Sequence, residues 1–148
     1  MLAALENLDL VVALRSSVWA YPIVSGLHIV GIGLLFGSIA TVDLHLLGLM
    51  RKLDREAVRR SLVPVAIAGF CLAALTGALL FAPAAREYLA SPFFRLKLAL
   101  LLVAGGNAIL LRLLDGRNTR RAAGAICGLA SLTLWVAIIF AGRMLAFG

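Results

Sequence analysis

Few residues in the apolar stretches of this 148-residue chain can do chemistry, and five of them are spaced so as to fall in one layer. His28 stands six residues after Pro22, near the start of a long uncharged run, which places it about 9 Å along a helix at 1.5 Å per residue. Thr76 stands six residues from the far end of a second run, Arg95 and Lys97 at the start of a third, and Arg143 near the end of a fourth. With runs that alternate in direction, all five share one depth. An imidazole below a rim of three cations suits haem b, with His28 on the iron and Arg or Lys on the propionates. It equally suits an anionic solute bound by Arg95, Lys97 and Arg143. Against these stand plainer roles: His28 and Thr76 as interhelical hydrogen-bonding groups, and the cations as side chains that snorkel to an interface.

A six-coordinate bis-histidine haem needs imidazoles from two helices. The other histidine, His45, is seventeen residues further along the same run, about 25 Å away. A five-coordinate haem, a His/Met pair using Met144, or a haem shared across a dimer meets that objection. A second polar layer holds Thr41, Asp43, His45, Asn107 and Arg112. Asp43 and His45 come just after the twenty residues that cross a hydrocarbon core, so they are expected among headgroups, with Asp43 paired to Arg112 or Arg51. Asn107 lies deeper and is expected to bond across helices. Between the layers the first run offers only Gly31, Gly33 and aliphatic residues, which argues against a proton pump. No Gly-rich phosphate loop, C-x-x-C, H-E-x-x-H or Ser/His/Asp set occurs, and two His with two Cys are too few for a four-ligand zinc site. Enzyme classes that need such sets are disfavoured.

The stretches around these residues read as helices in a bilayer. The chain is 63% hydrophobic and 14% charged with mean hydropathy +1.05, far more apolar than a soluble domain. Four runs, at about 22–42, 62–82, 94–114 and 122–145, each match a ~30 Å hydrocarbon core, and one transmembrane domain fills residues 1–148. Pro64 is read in the first turn of the second helix, and Pro83 marks its end. The net charge of +7 sits in clusters between runs, so no nucleic-acid partner is expected. Nine of the fourteen basic residues fall in the segments 51–60 and 112–121, which the positive-inside rule places in the cytoplasm, leaving both termini outside, in the periplasm. Residues 1–14 carry Glu6 and Asp9 and no Lys or Arg, so no cleaved signal is expected. Instead, Leu2, Leu5, Leu8 and Val12 opposite Glu6 and Asp9 predict a short interfacial helix, with Trp19 and Tyr21 at the aromatic belt.

Small-residue ridges should let the helices approach: Gly33/Gly37 in the first, Gly69/Ala73/Gly77 in the second, Gly105-Gly106 in the third and Gly124/Gly128 in the fourth. They serve either packing within a four-helix bundle or a homo-oligomer face. Cys71 and Cys127 are expected as free thiols inside the membrane.

The ordered set Trp19-x-Tyr21-Pro22, Leu27-His28, Asp43-Leu44, Leu47-Gly48, Gly69-Phe70, Thr76-Gly77, Phe94-Arg95-x-Lys97, Asn107, Ser131-Leu132, Trp135 and Gly142-Arg143 resembles a family of small bacterial four-helix inner-membrane proteins, a domain of unknown function. The resemblance covers nearly the whole chain. It implies an all-α fold and a bacterial inner (cytoplasmic) membrane location, and it implies no activity. A looser likeness, a histidine in a Gly-rich first helix, is to membrane cytochromes b and copper-handling membrane proteins. The residues themselves leave three roles open: an accessory or ligand-binding protein, carrying haem b or anchoring a periplasmic redox or metal partner; a small transporter or channel for an anionic solute; and a structural subunit of a membrane complex.

Overall fold

The computed structural model describes residues 9–50, 52–115 and 121–145, and 91% of these are helical, with no strand among them. Four helices are long and apolar enough to cross a membrane. The elements run α1 (Asp9–Ser16), α2 (Ala20–Leu46), α3 (Arg55–Phe81), a 3₁₀ turn (Ala82–Ala84), α4 (Ala85–Ala90), α5 (Pro92–Asp115) and α6 (Arg121–Met144). The expected apolar positions Leu2, Leu5 and Leu8 and the expected partner Arg51 lie outside the described residues.

Each boundary has a local cause. Ala20 N donates to Ser17 Oγ (3.1 Å) where α2 opens. At its other end Gly48 takes φ 82°, and Leu49 N bonds Leu44 O while Gly48 N bonds His45 O, a Schellman closure that needs a left-handed residue. His45 Nε2 donates to Leu53 O (2.8 Å) and ties down the turn that follows. Asp54 caps α3 by accepting from Ala57 N (2.8 Å), and Glu56 in the first turn reaches Arg59 and Arg60 at 3.5 Å. The charged residues 55–60, ahead of the expected second run at 62–82, are therefore already helix. Pro64 lies inside α3 and not in its first turn. Beyond the 3₁₀ turn, Phe81, Tyr88 and Phe94 stack with centroids 5.3–6.1 Å apart and join the ends of α3, α4 and α5.

α1 packs on the 3₁₀ turn and on α2, burying Val11 and Leu14 while Val12 stays exposed. Its inward face is thus Val11/Leu14, one residue off the expected stripe, because the helix docks on protein.

The long helices neighbour one another in the order α3, α2, α6, α5, and α3 and α5 scarcely meet. The α2–α3 crossing is the closest. A Cβ at Gly31 would lie 2.7 Å from Ala73 N, and one at Gly69 would lie 2.6 Å from Leu35 N. The expected Gly69/Ala73/Gly77 ridge is the one that packs, and its partner on α2 is Gly31. Gly33 and Gly37 face open space, as do Gly105 and Gly106. Seven residues per two turns puts Gly31 and Leu35 on one stripe and Gly33 and Gly37 on another. Gly124 and Gly128 of α6 do pack inward, against Leu46 and Asp43 of α2. Asn107 Nδ2 donates to Cys127 O (3.1 Å), the expected bond between α5 and α6. Both cysteines are free thiols, Cys71 exposed and Cys127 buried.

Candidate functional site

The α2–α3 crossing sets His28 against α3. Its Nδ1 lies 2.9 Å from Ala73 O and 3.1 Å from Thr76 Oγ1. A carbonyl only accepts, so Nδ1 carries the proton and donates. The Thr76 hydroxyl donates to Leu72 O at 2.6 Å, which leaves an oxygen lone pair toward the same Nδ1–H. Neutral His28 therefore keeps the lone pair on Nε2, which has no hydrogen bond among the described residues. An imidazole fixed through Nδ1 by a backbone carbonyl is the arrangement that orients a metal-ligating or basic Nε2. Gly77 makes room for the ring: a Cβ there would lie 3.0 Å from His28 Cε1.

Lys97 enters from α5. Its stem crosses Gly142 of α6, where a Cβ would lie 3.2 Å from Nζ and 3.5 Å from Cε, and it is within electrostatic reach of His28. No hydrogen bond or ion pair to Lys97 is found among the described residues. The layer thus receives one group from each long helix: His28 from α2, Thr76 from α3, Lys97 from α5 and the Gly142 backbone from α6.

Of the remaining two residues of the expected pocket, Arg95 is turned elsewhere. Arg95 is exposed, and its guanidinium donates to Ala90 O at 3.2 Å, closing the end of α4. Arg143 is exposed at the end of α6. On helices, residues one or two apart point to different sides, so the Lys97 side of α5 cannot be the Arg95 side. Three participants were not anticipated in these roles: the Ala73 carbonyl, Gly77 as the floor under the ring, and Gly142 as the seat of Lys97. Gly77 and Gly142 stand beside Thr76 and Arg143 in the sequence, and that adjacency was the available signal.

The second layer also differs from expectation. Asp43 is 2% exposed and faces α6, where a Cβ on Gly128 would lie 3.2 Å from Asp43 O. Its carboxylate is hydrogen-bonded by the Ser131 side chain and not by Arg112, which is exposed. Among the described residues no group of three or more His, Cys, Asp or Glu could hold a metal ion. Comparison with protein families, with curated proteins and with solved structures gives no match.

Proposed function

We propose that this chain is a multi-pass inner-membrane protein of a bacterium that binds a ligand at His28, Thr76 and Lys97, in an accessory or redox-anchoring role rather than as an enzyme. One observation carries the reading. An imidazole is fixed through Nδ1 with Nε2 unengaged, and the ammonium of Lys97, within electrostatic reach, has no partner among the described residues. An unpaired cation and an oriented lone pair inside an apolar layer are costly to maintain without a ligand.

Haem b answers both groups at once. His28 Nε2 would hold the iron, with the ring kept in place by Thr76 and the Ala73 carbonyl, and Lys97 would pair with a propionate. When bound, the haem would supply a one-electron redox centre. The residues fit one axial position only, since His45 is engaged with Leu53 O at the other end of α2. A second ligand to a bound haem would have to come from outside the described histidines. The location and the placement of both termini in the periplasm rest on the basic segments at 51–60 and 112–121.

The test is a visible spectrum of protein purified from haem-replete cells, before and after dithionite. A Soret band with reducible α and β bands, absent in His28→Ala, is the expected result. A colourless, monodisperse protein overturns the haem reading. A small anionic solute is the second reading, favoured by the unpaired Lys97. It predicts thermal stabilisation by anions that persists in His28→Ala and is lost in Lys97→Gln.

A further inference from the structure

Asp43 is the one formally charged side chain among the described residues that is buried to the level of the core, and His28 chemistry makes no use of it. It lies between α2 and α6, level with Gly128 and Ser131, seven to ten residues into α6 from Arg121. That is about 10–15 Å of helix. One carboxylate oxygen has the Ser131 hydroxyl, whereas Oδ2 is buried and has no hydrogen-bond partner among the described residues. Several charged groups at that end of the described helices are otherwise placed. His45 on the same helix bonds Leu53 O, Glu56, Arg59 and Arg60 at the start of α3 pair with one another, Arg112 of α5 is exposed, and α6 brings Cys127.

A buried carboxylate with an orphaned oxygen is among the costliest groups a fold can hold, and a compensating positive charge removes both the charge and the unmet acceptor. A single carboxylate balances one positive charge and would leave a divalent ion such as Ca²⁺ or Mg²⁺ with uncompensated charge in the apolar layer. We propose that Asp43 Oδ2, with Ser131, is a binding point for a small monovalent cation, a proton or an alkali-metal ion. It is reached from the end of the bundle where α2 terminates, three residues on at Leu46.

A cation that binds only the folded state raises the unfolding midpoint as its concentration rises. Midpoints of the full chain in detergent, read by tryptophan fluorescence, should be compared across sodium at fixed pH and ionic strength with choline as the balancing ion, and across pH at fixed sodium. The wild type should respond to one of the two, and Asp43→Asn should lose that response. A sodium response assigns the metal ion. A pH response with none to sodium assigns the proton, which then shows a carboxylic-acid carbonyl infrared band that Asp43→Asn removes. Ser131→Ala should keep the response and move its half-point roughly tenfold: to higher sodium if a metal ion binds, because a ligand oxygen is lost, and to lower proton concentration if the proton binds, because the hydroxyl that favours the charged carboxylate is lost. Identical responses in wild type and Asp43→Asn overturn the proposal. Should Asp43→Asn fail to fold, an unmoved half-point in Ser131→Ala overturns it.

Discussion

At the scale of single residues, the site depends on which His28 nitrogen is held. Ala73 O supplies the main bond to Nδ1 and cannot be removed by side-chain substitution. Thr76→Val deletes only the second acceptor and should weaken ligand retention by about 1 kcal/mol or less, read as the concentration needed for half-saturation. Gly77→Ala should do more. Its Cβ would press on Cε1 at 3.0 Å, and the ring must turn off the Ala73 carbonyl or push α3 away. Retention should fall about tenfold, with little change in helical content by circular dichroism. Lys97→Gln removes the charge and should cost about 1.5–3 kcal/mol of affinity for any anionic group, in proportion to a charge-assisted bond. The sequence made His28, Thr76 and Lys97 recognisable because ionisable and hydroxyl groups are rare in uncharged runs and depth can be counted in residues. It could not tell Lys97 from Arg95, since depth is set by count but facing is set by which stripe of α5 meets α6.

At the scale of the elements, glycines of α2 that look alike in sequence have opposite roles: Gly31 packs on Gly69 and Ala73 of α3, and Gly33 and Gly37 meet nothing. Gly31→Ala and Gly69→Ala each put a methyl within 2.7 Å of backbone, which must move, so each should destabilise by about 1–3 kcal/mol in denaturant titration in detergent. Gly33→Ala and Gly37→Ala meet nothing within 4 Å and should change stability by about 0.5 kcal/mol or less. Equal costs in both pairs would mean that α2 is rotated from the position described. The helices themselves were legible because runs near 20 apolar residues have few alternatives in a bilayer. The extension of α3 back to Arg55 was not. A charged stretch reads as loop unless its cap at Asp54 and the pairing of Glu56 with Arg59 and Arg60 are weighed together. The ridge facing on α2 was missed for a related reason: Gly-x-x-x-Gly spacing marks a small surface but does not say what lies opposite.

At the scale of the whole molecule, the chain reads as two helical hairpins, α2–α3 and α5–α6, joined through α2 against α6 and tied at one end by the Phe81/Tyr88/Phe94 stack. Both polar sites lie on α2, His28 near one end and Asp43 near the other, so that helix carries the chemistry while its neighbours supply partners. The orientation proposed from the basic segments predicts that an impermeant maleimide labels Ser17→Cys from the periplasmic side of intact cells, and Leu53→Cys only after the membrane is opened. The reverse pattern would place the His28 layer on the cytoplasmic side. The central claim, that His28 Nε2 is the donor to a bound ligand, is tested most directly by titrating haemin into the purified apo-protein and into His28→Ala while following the Soret band. A saturable red-shifted band in the wild type, lost in the variant, is predicted. No saturable shift, or the same shift in both proteins, would contradict it.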